Sequence, residues 1–145
     1  MSGNRGSVRR HVRIRRPASE VWARIGDPAR IQEWFPGIES STVDGSSRVI
    51  TTDAGLPMPE EIVTNDPLQR RFQYRITAPM FREHLSTLDV LDLDDGTCVV
   101  VYAADADPST MALVIAGAAG SALEHLKGLM ETKLAESTRD MEEND

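Results

Sequence analysis

Pro17-Ala-Ser-Glu-Val-Trp-Ala-Arg-Ile-Gly-Asp-Pro-Ala-Arg-Ile-Gln-Glu-Trp-Phe-Pro-Gly37 reads as two short helices placed back to back. The first, from about Ala18 to Gly26, puts Val21, Trp22 and Ile25 on one side. Asp27-Pro28 is an N-cap followed by proline at the first helical position. The second helix carries Ile31, Trp34 and Phe35, and Pro36-Gly37 stops it. The surroundings of this pair decide the fold. One strand precedes it, only strand-like segments follow as far as about Asp105, and then comes a single long helix. A lone terminal helix against one curved sheet encloses an interior, so the sequence predicts a container.

On the N-terminal side, Val8, Arg10, Val12 and Ile14 alternate with Arg9, His11, Arg13 and Arg15, the period of a strand, which Pro17 ends. On the C-terminal side three hairpins are predicted. Ile38–Val43 and Arg48–Thr52 flank Asp44-Gly45. Glu60–Thr64 and Arg70–Thr77 flank Asn65-Asp66-Pro67. His84–Leu93 and Thr97–Ala106 flank Asp94-Asp95-Gly96. Gly55–Pro59 and Ala78–Glu83 are expected loops, the second bearing Met80 and Phe81. Successive hairpins make an antiparallel meander. The last helix is predicted from about Pro108 into the 130s, with Met111, Ile115, Ala119, Ala122, Leu123, Leu126, Met130 and Leu134 in one stripe. Its stretch Gly117–Ala122 has almost no side-chain volume, which means either close packing on the sheet or an internal void.

At 145 residues the chain is one expected domain, 1–145, with 1–7 and 136–145 as frayed tails. An apolar fraction of 40% and a charged fraction of 27% are globular values, and a net charge of −7 disfavours nucleic acid as a partner. Arg5, Arg9, Arg10, Arg13, Arg15 and Arg16 crowd the N-terminus; a solvated, charged edge strand is the simpler account, an anion patch the other. Cys98 is the only cysteine, so no disulfide framework exists. No stretch has the length of a membrane span, and the basic N-terminus lacks an apolar signal region, so a cytoplasmic setting is expected. His11, His84 and His125 have no metal-ligand spacing and no glycine-rich loop opens a helix, so neither metal nor cofactor is expected.

The order of strand, helix pair, six further strands and long C-terminal helix resembles the helix-grip fold. The residues resemble the polyketide cyclase and START-like branch of the SRPBCC superfamily. The matching pieces are Pro17-Ala18-Ser19-Glu20-Val21-Trp22, Trp34 with Pro36, Arg48, Glu61 before Asp66, Arg71-Phe-Gln-Tyr74-Arg-Ile76, and Leu88-Asp-Val90 with its Asp-Gly turn. Relatives often carry a tryptophan near Val101, which is absent here. The resemblance implies an α+β fold in which a curved antiparallel sheet of about seven strands surrounds the long helix. It also implies a cavity for hydrophobic molecules such as lipids, sterols and aromatic polyketides.

Strand parity then sorts the candidates. If Phe72, Tyr74 and Ile76 face inward, Arg71, Gln73 and Arg75 face water. On the next strand Leu88 and Val90 bring Ser86 and His84 inward. Arg48 shares a face with Ile50. Glu61 shares one with Val63, and Glu60 with Ile62; the resemblance favours Glu61 as the inward member. The expected lining is therefore Arg48, Ile50, Glu61, Val63, Phe72, Tyr74, Phe81, His84, Leu88 and Val101, closed by Met111, Ile115, Ala119, Ala122 and Leu126 of the helix. A buried glutamate alone costs several kcal/mol or stays protonated, so Glu61 is expected to pair with Arg48. Three functions fit: a monomeric or weakly dimeric binder of a small hydrophobic or amphipathic ligand, a cyclase or dehydratase using Glu61 or His84 as general acid or base, or a protein-interaction module with a filled core.

Overall fold

The computed structural model describes residues 4–143, with side chains through Thr132. The elements follow in the expected order: β1 (Gly6–Ile14), α1 (Ala18–Ile25), a 3-10 helix (Pro28–Glu33), β2 (Ile38–Asp44), β3 (Ser47–Thr52), β4 (Pro57–Asp66), β5 (Arg71–Ile76), β6 (Glu83–Asp92), β7 (Cys98–Asp107) and α2 (Ser109–Glu143). All seven strands form one antiparallel sheet in the order β1-β7-β6-β5-β4-β3-β2. The meander runs from β2 to β7, and β1 then closes on the far side of β7.

Local chemistry explains the entry. The Asp27 carboxylate accepts the Ala29 N–H at 3.1 Å, as an N-cap should, with Pro28 first in the helix. Gly37 at φ +90 ends the segment where a side chain would be strained. β4 starts earlier than the sequence suggested. Pro57 and Pro59 stand opposite Thr51 and Val49 of β3, beyond the last regular partner that β5 offers, Ile76 opposite Glu60. A missing N–H costs little where no second strand needs it. β1 starts at Gly6, inside the expected N-terminal tail, and α2 extends past the mid-130s; the side-chain claim for Leu134 lies outside the described residues.

One face of the sheet is the core. Val12 and Ile14, Ile50, Phe72 and Tyr74, Leu88 and Val90, and Cys98, Val100 and Tyr102 join Ala119, Ala122, Leu123, Leu126 and Met130 in one contiguous buried cluster with Val21, Ile25, Ile31 and Trp34. α2 lies mainly along β1 and β7. Its small residues are close-packed: Ala112, Ala116, Ala119 and Ala122 are buried, and a Cβ on Gly6 of β1 would stand 2.8 Å from the Ala112 Cβ. The two glycines that suggested a void do not line one. A Cβ on Gly117 would meet nothing within 4 Å on the exposed side, and one on Gly120 would touch only Arg10, at 3.8 Å.

α2 is pinned where β1 ends. Glu131 accepts the Arg15 N–H at 2.9 Å and pairs with the Arg15 and Lys127 side chains, while Lys127 Nζ donates to the Arg13 carbonyl at 2.7 Å. Burial alone would raise this carboxyl, but these donors outweigh it and hold it at about 2. Of the remaining N-terminal arginines, Arg5 pairs with Glu83 and Asp105, Arg13 with Asp95 and Arg16 with Glu20.

Candidate functional site

The inner face of β3 to β7 carries a band of polar side chains inside the apolar core. Register builds it. Arg48 stands opposite Glu60, and Glu60 opposite Ile76. Tyr74 stands opposite Ser86, and Ser86 opposite Ala104. Phe72, Leu88 and Tyr102 form the next row.

Arg48 and Glu60 have side chains only 2% exposed. Arg48 Nε donates to Glu60 Oε1 at 2.7 Å, and Nη1 donates to the Pro28 carbonyl at 3.2 Å. Nη2 lies 2.6 Å from the same Oε1 but off the hydrogen-bonding direction, so it gains attraction without a bond. The guanidinium also stacks on the rings of Tyr74 and Phe72, 4.9 and 5.4 Å from their centroids. Burial raises the Glu60 carboxyl above its ordinary range, against the opposing pull of Arg48.

The Tyr74 and Tyr102 hydroxyls are hydrogen-bonded to each other. Burial, then the Glu60 charge, pushes Tyr74 up to about 12; burial, then the neighbouring Tyr74, raises Tyr102 well above its ordinary value. Both are neutral donors at physiological pH. His84 Nδ1 accepts the Ile76 N–H at 2.8 Å, which leaves Nε2 as the protonated nitrogen, and Nε2 lies 2.8 Å from Ser86 Oγ. Burial, then the Arg75 charge, depresses His84 to about 4. The ring packs between Tyr74 and Phe81, with centroids 5.6 and 5.1 Å away.

Trp34 closes the band from the helical side. Its ring packs on Phe35 and Tyr102, and its Nε1–H, buried with the ring, has no hydrogen-bond partner among the described residues.

Several expectations are corrected here. Glu61 is exposed, and Glu60 is the partner of Arg48, because the β3–β4 register sets Glu60 opposite Arg48 and Glu61 opposite Ser47, the exposed first residue of β3. Val63 goes with Glu61 to the outer face and is 41% exposed. Val101 points to the outer face as well; its neighbour Tyr102 faces the core at 1% exposure. The outer parity of β7 could have been read from Asp105 and Asp107, which share it with Val101. Arg48, Ile50, Phe72, Tyr74, His84 and Leu88 face inward as expected, and Ala119, Ala122 and Leu126 face the same core. Phe81 is half-buried beside His84. Met111 and Ile115 are half-buried at the margin, where Ala112 and Ala116 take the core positions. Sequence reasoning missed Glu60, Tyr102 and the orphaned Trp34 donor.

Chemically, His84 has both ring nitrogens engaged and Glu61 faces water, so neither is placed as an acid or base toward the interior. Among the described residues no group of three or more His, Cys, Asp or Glu could hold a metal ion, and no helix is long and apolar enough to cross a membrane.

Comparison with known proteins agrees with the architecture. The profile of the family described as polyketide cyclase / dehydrase and lipid transport matches residues 5–135. A solved structure of an uncharacterized protein from Bacillus thuringiensis superposes with a TM-score of 0.80 at 22% identity, covering 86% of this chain and 98% of that one. The Zhui aromatase/cyclase from Streptomyces sp. R1128 superposes with a TM-score of 0.72 at 20% identity, covering 90% and 96%. Norcoclaurine synthase from Thalictrum flavum, at 13% identity, superposes with a TM-score of 0.71, covering 92% and 98%. At these identities the likeness is one of fold. No match is found among curated protein sequences.

Proposed function

Because this chain belongs to the polyketide cyclase / dehydrase and lipid transport family, we propose that it binds a small, mainly apolar molecule against the inner face of β3–β7, with a carbonyl or other acceptor oxygen of that molecule on the Trp34 indole N–H. The orphaned Trp34 donor carries the reading. A buried N–H without an acceptor costs about 1–3 kcal/mol, and an acceptor oxygen removes that cost on binding. Arg48, on the same aromatic cluster, keeps its charge against Glu60 and stacks on Tyr74 and Phe72, which adds a cationic face to the aromatic surface. The rings of Phe35, Phe72, Tyr74 and Tyr102 supply the apolar and aromatic contact, which favours a planar or aromatic ligand over a simple chain.

The experiment is a titration with a hydroxylated anthraquinone, a flavonoid and a long-chain fatty acid, followed by Trp fluorescence and calorimetry. The reading expects saturable binding of the aromatic ketones, weakened about 5–10-fold by Trp34→Phe, which keeps the ring and removes the donor. Equal binding by the Phe variant contradicts it.

A catalytic reading rests on a different observation. Tyr74 and Tyr102 are buried, neutral and hydrogen-bonded, beside a glutamate whose carboxyl burial has raised, a combination suited to donating a hydrogen bond to a carbonyl oxygen as it gains charge during enolisation or dehydration. Turnover of a poly-β-keto substrate that Tyr74→Phe abolishes without loss of binding distinguishes this reading from simple binding.

A further inference from the structure

Away from the inner face, a cleft of about 280 Å³ opens beside α1, lined by Arg16, Glu20, Ala23, Arg24, Arg30 and Met130. Arg16 lies in the β1–α1 connection just before Pro17, Glu20 and Arg24 follow it at successive four-residue steps, and Ala23 between them is too small to close the gap. Arg30 comes from the 3-10 helix, and the buried Met130 of α2 makes an apolar wall.

The carboxylates here are already engaged. Arg16 donates through Nε and Nη2 to Glu20 Oε2. Glu33 is shared: Arg30 donates to it at 2.7 and 3.0 Å, and Arg24 reaches it only through Nη1, at 3.4 Å. Asp27 is committed to the Ala29 N–H. Among the described residues, three guanidiniums therefore converge on two carboxylates, Glu20 and Glu33. Among the described residues, Nε and Nη2 of Arg24 and Nη1 of both Arg16 and Arg30 make no hydrogen bond. Two of the three arginines are largely withdrawn from water, with side chains 16% exposed for Arg16 and 19% for Arg24. Withdrawn guanidiniums that line a cleft with N–H groups to spare among the described residues can take a further anion.

We infer that this cleft binds a phosphate group, carried by a small phosphate monoester or by a lipid headgroup. Guanidinium forks match phosphate oxygens two at a time, and the one positive charge that Glu20 and Glu33 leave uncompensated among the three arginines favours an anion here. The volume lies at the lower end of small-molecule sites, enough for the phosphate and a compact substituent. The cleft is separate from the Trp34 and Arg48 cluster, so this inference and the proposed function stand or fall independently.

The test is calorimetric titration of the full chain with phenyl phosphate, against sodium chloride at matched ionic strength, beside sedimentation with phosphatidic acid vesicles and with phosphatidylcholine vesicles as control. Saturable binding of phenyl phosphate is expected. Arg24→Gln should weaken it about 10-fold, and Glu20→Gln should tighten it by freeing Arg16 from its carboxylate. Ala23→Glu, a change at an exposed helix position, puts a carboxylate of the chain's own among the arginines; it should abolish binding and keeps the test decisive if Arg24→Gln fails to fold. Binding confined to phosphatidic acid vesicles and lost in Ala23→Glu assigns the phosphate to a lipid headgroup. No binding in either arm, or binding indifferent to Ala23→Glu and Arg24→Gln, overturns the inference.

Discussion

Breaking the Arg48–Glu60 pair from one side should cost more than removing it altogether. Both side chains are 2% exposed, and the pair sits on the rings of Phe72 and Tyr74. In Glu60→Leu the guanidinium keeps only the Pro28 carbonyl and the ring faces, which cannot neutralise a buried charge. Removing one partner of such a pair costs about 3–5 kcal/mol. At about 3 °C per kcal/mol for a chain of this length, the melting temperature should fall by ~10–15 °C. Arg48→Met/Glu60→Leu leaves apolar groups of similar volume against apolar neighbours and should recover at least half of the loss. Urea unfolding of the four proteins in a double-mutant cycle at neutral pH measures the coupling. Burial raises the Glu60 carboxyl, so the folded protein protonates it first and the coupling should shrink as pH falls toward 4.5. Losses that add within about 0.5 kcal/mol, or a coupling indifferent to pH, refute the pairing as described.

Acid should act through His84. Its folded value lies near 4 against 6.5 in the unfolded chain, so between those limits the unfolded chain binds the extra proton. Stability from the neutral imidazole is therefore complete above pH 6.5 and is lost as pH falls toward 4, by about 3 kcal/mol. His84→Gln should flatten that slope in urea midpoints taken across the window; an unchanged slope assigns it elsewhere. Glu131 works at lower pH, its contribution present above 4.5 and lost toward about 2; Glu131→Gln should cost about 1–2 kcal/mol at neutral pH and speed amide exchange in α2. Gly117→Ala should stabilise by ~0.5–1 kcal/mol, since the new methyl meets nothing and helix propensity improves. Gly6→Ala should destabilise by ~1–3 kcal/mol, since its Cβ would meet Ala112 at 2.8 Å; thermal melts check both signs.

The fold was legible because the patterns that set it are local. The Asp27-Pro28 cap, the Asp-Gly turns and the period-two strands each depend on a few adjacent residues, and together they leave one meander and one helix. The site was legible only where one face of a strand was plainly apolar, as with Phe72 and Tyr74 or Leu88 and Val90. In β4 both faces read alike, Glu60 with Ile62 against Glu61 with Val63, and only the register with β3 separates them. In β7 the run Cys98–Val101 is apolar on both faces, which hid Tyr102 behind Val101. The small residues of α2 invited a void because sequence does not show which of them face the sheet: Ala119 and Ala122 do, and Gly117 and Ala118 do not. The missing acceptor at Trp34 had no sequence signal at all, since an orphaned donor is a property of everything packed around it.

The most direct measurement is the indole N–H spectrum of ¹⁵N-labelled protein during titration with a hydroxylated anthraquinone. The chain has two tryptophans, so two indole signals are expected, and Trp34→Phe identifies one of them. The Trp34 signal should move downfield with saturation as its N–H gains an acceptor, while that of Trp22, which packs against the backbone of Gly26, stays in place. A Trp34 signal unmoved at saturating ligand, or a shift shared equally by both indoles, contradicts a ligand seated on the Trp34 donor.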